Sequence, residues 1–71
     1  MKYTITLFRN IGKNVGDSLL VLITEDKDEY MKAWHDLTIM FERNKTFINS
    51  EEYKNKDITR LYLTYNFNRE W

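Results

Sequence analysis

The sequence predicts an α+β domain of ββαβ order: a three-stranded, mainly antiparallel sheet, order 2-1-3 preferred, with one amphipathic helix packed on one face. Three observations carry this expectation. Ile58 to Phe67 alternates strictly, setting Leu61, Leu63, Tyr65 and Phe67 on one side and Arg60, Tyr62, Thr64 and Asn66 on the other. Lys2 to Arg9 alternates in the same way, with Tyr3, Ile5 and Leu7 opposite Thr4, Thr6 and Phe8. Between these strands, Tyr30, Trp34, Leu37 and Phe41 recur at i, i+4, i+7 and i+11, one apolar stripe of a 3.6-residue helix.

The elements follow in order, within a single domain spanning 1–71. The first strand leads into Asn10 to Asp17, which holds both glycines of the chain together with Asn and Asp, the residues of turns. Ser18 to Thr24 then reads as a second strand around the apolar run Leu19-Leu20-Val21-Leu22-Ile23, closing a hairpin over 2–24. A helix over 25–44 comes next, capped by Thr24 or Asp26. Glu25, Asp26, Asp28 and Glu29 lie where negative charge opposes the positive end of the helix dipole. Asn44 is a natural stop because it tolerates the left-handed conformation. The stretch 45–57 is less regular, and Asn49 with Glu52 suits a short capped helical turn through Tyr53, with Phe47 and Ile48 beneath it. The last strand occupies 58–67 and a tail 68–71. A right-handed crossover makes the second and last strands parallel; with the last strand beside the first, every neighbouring pair is antiparallel.

One helix covers only one face of such a sheet. The other face carries Thr4, Thr6, Phe8, Arg60, Tyr62, Thr64 and either Leu20 and Leu22 or the set Leu19, Val21 and Ile23. Three answers present themselves: the 45–57 segment or the Trp71 tail folds over them, a second copy covers them, or another protein does. Ile39 lies roughly 160–180° from the centre of the helix stripe and marks a further exposed apolar position near His35 and Lys32.

At 71 residues the chain is small. A domain of this size buries only about 60% of the surface its unfolded chain exposes, so its stability needs help. Cysteine is absent, which removes disulfides, iron–sulfur clusters and thiolate zinc sites. The lone His35 makes no zinc site without several carboxylates, and no metal or cofactor is expected. Self-association, as a homodimer, is the remaining aid, set against a monomer that simply packs well.

Eleven basic and eleven acidic residues cancel, whereas sequence-independent nucleic-acid binding draws on a basic excess. Nucleic acid is therefore disfavoured, although Tyr3, Tyr62, Tyr65 and Phe67 with Arg60 and Arg69 have the composition of sheet platforms that stack single-stranded bases. Met1 to Thr6 alternates where a secretion signal would be continuously apolar, and no run is long enough to span a bilayer. A cytoplasmic location without membrane contact is the expectation.

No reaction is spelled out. Gly12-Lys13 and Gly16 lack the spacing and the Ser/Thr of a phosphate-binding loop. His35 and Asp36, adjacent on a helix, diverge by about 100° and cannot act as a base and its orienter. Ser18 and Ser50 have no activating context, and the acidic run 25–29 lacks the glycine and terminal glutamate of a calcium loop. The expectation is a non-enzymatic binding protein with Phe8, Arg60, Tyr62 and Trp71 as its partner-binding anchors, aromatic and arginine side chains of the type that dominates interface energetics.

Asn, Lys, Ile, Tyr and Phe are plentiful, Ala33 is the sole alanine, and proline is absent. Those residues have A/T-rich codons, typical of short genes in bacteriophages and other mobile elements. The functional expectation is thus an effector that blocks a host protein, such as a defence-system component, in the host cytoplasm. A single-stranded nucleic-acid module and a self-assembling accessory protein are the alternatives.

Overall fold

A computed structural model describes residues 1–11, 14–46 and 48–66, with backbone alone at 11, 14–17 and 48. Five elements run in the order β1 (Lys2–Ile11), β2 (Asn14–Thr24), α1 (Lys27–Arg43), β3 (Ile48–Asn55) and β4 (Ile58–Asn66). The four strands form one mixed sheet in the order β2-β1-β4-β3. The class is α+β with a single helix, but the sheet has four strands where the sequence pattern predicts three.

The additional strand changes the direction of the last one. Residues 45–57, expected to be irregular with a helical turn near Tyr53, instead supply β3, antiparallel to β4 with Glu52 opposite Leu61. β4 does lie beside β1, as order 2-1-3 requires of the last strand, but the two run parallel, with Ile5 opposite Leu61. The expected all-antiparallel arrangement fails because α1 carries the chain across to the far edge before the β3–β4 hairpin returns it to the centre. β3 escaped notice because Asn49-Ser50-Glu51-Glu52-Tyr53-Lys54-Asn55 contains no apolar alternation. An edge strand needs little, since water satisfies one of its sides.

β1 and β2 pair antiparallel, as the hairpin reading expects. β2 begins at Asn14 instead of Ser18, with Ile11 opposite Asn14, so the connection is shorter than Asn10–Asp17; Gly12 and Lys13 lie outside the described residues. The ladder slips twice, between Ile5 and Thr6 and between Phe8 and Asn10. At the first slip Val21 is the extra residue of β2, a bulge that lets Leu20 and Ile23 share a face.

The Asp26 carboxylate caps α1, accepting from the N–H groups of Asp28 at 2.9 Å and Glu29 at 3.5 Å. The Thr24 hydroxyl braces that cap by accepting from the Asp26 N–H at 3.0 Å. At the other end Asn44 stays right-handed (φ −86°) and Lys45 takes the left-handed turn (φ 54°). The Lys45 N–H donates to the Glu42 carbonyl and the Thr46 N–H to that of Phe41, the paired bonds of a Schellman closure. Asn44 is the C-cap, where the sequence places the stop, but the left-handed residue is the one after it, so a lysine bears the backbone cost.

The core sits between α1 and the two central strands. Ile5, Leu61 and Leu63 are fully covered, and Tyr30 and Phe41 of α1 are buried with them. Tyr3, Leu7, Leu22, Ala33, Trp34 and Leu37 pack around this cluster. Tyr30 stacks on Tyr3 with centroids 4.8 Å apart, and Phe41 stacks on Tyr65 at 4.8 Å. The helix stripe therefore meets the inward set read from the strand alternation; Phe67 lies outside the described residues. No described helix is long and apolar enough to cross a membrane.

Candidate protein interface

α1 occupies one side of the sheet, and no described element covers the other. Strand register places three rows of side chains across this open face. Leu20, Thr6, Tyr62 and Glu51 form one row; Ile23, Thr4, Arg60 and Tyr53 form the next; Ser18, Phe8, Thr64 and Asn49 form a third. Successive residues of a strand point to opposite faces, so the core-forming alternation of β1 and β4 delivers Phe8, Arg60 and Tyr62 outward.

The rings on this face form a ladder. Tyr62 meets Phe8 edge-on, with centroids 5.4 Å apart and planes at 65°, and meets Tyr53 at 5.4 Å and 56°. Such tilted arrangements set the positive edge of one ring against the negative face of another. Tyr53 is half-exposed, and its hydroxyl donates to Glu51 Oε2 at 2.6 Å. That bond and the carboxylate charge push the Tyr53 phenol above its ordinary pKa. Arg60 is exposed between the Thr4 and Tyr53 positions.

Of the four anchors read from the sequence, Phe8 and Tyr62 are in ring contact and Arg60 shares their face, while Trp71 lies outside the described residues. Tyr53 was missed because its segment did not read as a strand. The apolar choice on β2 falls on neither expected set. Leu22 packs inward with the core, Leu20 and Ile23 point to the open face, and Leu19 pairs with Leu7 on the helix side. The Val21 bulge splits the alternation, and a bulge leaves no signature in a run of five consecutive apolar residues.

The helix side offers a second, polar feature. The Tyr30 hydroxyl donates to Glu52 Oε2 at 2.6 Å, and Lys54 Nζ lies 3.5 Å from Glu52 Oε1. Burial first, then the hydrogen bond and charge of Glu52, raises the Tyr30 pKa well above the ordinary phenol value. Tyr30 is thus a hydrogen-bond donor that ties α1 to β3. Asp26 is engaged at the helix cap, and the described residues contain no group of three or more acidic or histidine side chains suited to a metal ion. Met31, Trp34, His35 and Thr38 line a shallow cleft on α1, and His35 is exposed there.

No protein-family model, curated protein or solved structure matches this chain.

Proposed function

We propose that this chain is a non-enzymatic protein-binding effector whose open sheet face occludes or locks a partner protein. The observation that carries the reading is the Phe8–Tyr62–Tyr53 ladder flanked by Arg60, on a face that no described element covers. Rigid aromatics and arginine supply large contact area at low cost in side-chain entropy, which is why they dominate interface hot spots. The A/T-favoured composition fits a phage or mobile-element origin, with a host protein, such as a defence component, as the partner.

The alternative of single-stranded nucleic-acid binding uses the same rings. Base stacking needs free ring faces and a cationic track. Here Tyr62 is flanked by two rings, Glu51 belongs to its row, and the chain carries no net charge. The protein reading is the better fit.

The test is capture from bacterial host extract after nuclease treatment, with wild type beside Tyr62→Ala and Arg60→Glu. A stoichiometric protein partner retained by wild type and lost by both variants is the expected result. Affinity for a fluorescent single-stranded oligonucleotide that falls steeply with salt, with no protein retained, would favour the nucleic-acid reading instead.

A further inference from the structure

We propose that the partner of the open face meets it with a carboxylate: an aspartate or glutamate side chain held by Arg60, beside an apolar side chain packed on Tyr62 and Phe8. The proposal rests on the protein-binding reading above and adds the chemistry of what is bound. Its basis is a guanidinium that the fold sets among rings and leaves without a counter-charge.

Arg60 stands opposite Tyr53, and Glu51 stands opposite Tyr62. Arg60 and Glu51 are thus diagonal neighbours on one face, a spacing that long side chains can bridge. They do not pair. The Glu51 carboxylate accepts from the Tyr53 hydroxyl at 2.6 Å instead, and the Arg60 side chain has no hydrogen-bond or ion-pair partner among the described residues. Lys2, exposed in the same outward set of β1 as Thr4, has none either. Thr4 is opposite Arg60, so both cations share one end of the open face. On the helix side, by contrast, Lys54 Nζ lies 3.5 Å from Glu52.

The zero net charge conceals a separation that favours the same partner. Residues 25–43, the helix with its cap, hold six acidic and three basic residues, and the rest of the chain holds five acidic and eight basic. The helix lies on the far side of the sheet from Arg60. An acidic protein surface is therefore steered toward the strands and turned away from the helix.

An arginine fork accepts a carboxylate or a phosphate in the same two-bond geometry. A nucleic-acid strand, however, needs a track of cations along its backbone. Here two cations stand at one end, and the Glu51 carboxylate occupies the next row, where a second phosphate would have to lie. A single carboxylate fits what is offered. Tyr62 follows Arg60 by two residues, about 7 Å along β4, and Phe8 touches the Tyr62 ring. The partner accordingly carries an apolar side chain about 7 Å or more from its acid.

Selection of short random peptides, displayed in a library, on the immobilised chain tests this. Wild type should enrich peptides that carry Asp or Glu near Leu, Phe or Tyr. Arg60→Glu should lose those peptides and enrich Lys- or Arg-bearing ones in their place. Arg60 is exposed, so its variants should keep the wild-type circular dichroism spectrum. For the strongest synthetic peptide, Arg60→Gln should weaken binding about 10-fold or more, and Arg60→Lys less, because the charge stays while the fork is lost. Replacing the peptide's acid by its amide should then cost little more in Arg60→Gln, the mark of a direct pair. Enriched peptides without an acid, or an acidic preference that persists in Arg60→Glu, overturn the proposal. Protein binding still stands in that case if Tyr62→Ala abolishes capture. No enriched peptide at all also overturns it, and if fluorescent oligo-thymidylate binds instead and is released by salt, the protein-binding reading falls with it.

Discussion

The two edges of the sheet are built on opposite terms. β2 is eleven residues long and nearly all apolar along its second half, and it holds to the core through Leu22. β3 is eight residues long, carries Glu51, Glu52 and Lys54, and is tied to the helix by the Tyr30–Glu52 hydrogen bond. β3 carries charge from Glu51 to Lys54, whereas β2 carries none from Ser18 to Thr24. Charged side chains on an edge strand make added pairing costly, because an incoming strand must desolvate them. The contrast teaches that two edges of one sheet can meet solvent on different terms, one through charged side chains and one through a bulged strand.

The centre on which both edges depend sets the largest expected effect. Leu61→Ala should cost about 2–5 kcal/mol in denaturant melts, since a fully covered leucine leaves a cavity between α1 and the sheet. A loss near zero would mean that the edges, not β1 and β4, carry the stability.

Removing the polar tie of β3 comes next. Glu52→Ala leaves the buried Tyr30 hydroxyl without its acceptor and should cost about 1–3 kcal/mol. Tyr30→Phe removes the donor itself and should cost less, about 0.5–1.5 kcal/mol. Equal losses would show that the hydrogen bond is not what anchors this edge.

Alkaline titration sharpens the same point. The folded-state pKa of Tyr30 is raised above its unfolded value, so the folded chain holds that proton more tightly. The corresponding stability is fully present below the ordinary phenol value of about 10 and is lost as pH rises beyond it toward the folded pKa. Denaturant midpoints should therefore fall above that pH in wild type, and fall less in Tyr30→Phe. Parallel curves would break the assignment.

Converting the charged edge tests the comparison most directly. Glu51→Val with Lys54→Val should leave the fold intact and produce concentration-dependent scattering that wild-type β3 does not support. The smallest effect belongs to the helix stop. Lys45→Gly should stabilise by about 0.5–1 kcal/mol, because glycine takes the left-handed conformation without a Cβ penalty.

Where side chains alternate between core and solvent, the architecture was legible. Tyr3-Ile5-Leu7 and Leu61-Leu63 declared their faces, and Tyr30, Trp34, Leu37 and Phe41 declared the helix. Phe8, Arg60 and Tyr62 followed as the outward complement of the same patterns. β3 was opaque because its burden is hydrogen bonding to β4, a backbone property that any polar residue can serve. Tyr53 vanished from the candidate site with it.

By itself the sequence determined the class, the hairpin, the helix with its acidic cap, and which faces of β1 and β4 turn inward. Each of these is a periodic or local preference, written residue by residue. Only the tertiary structure decided the sense of the last strand, the bulge at Val21 and the meeting of Phe8, Tyr62 and Tyr53. These depend on which strands become neighbours, and register between distant segments is chosen by the packing of the whole sheet, not by any one segment.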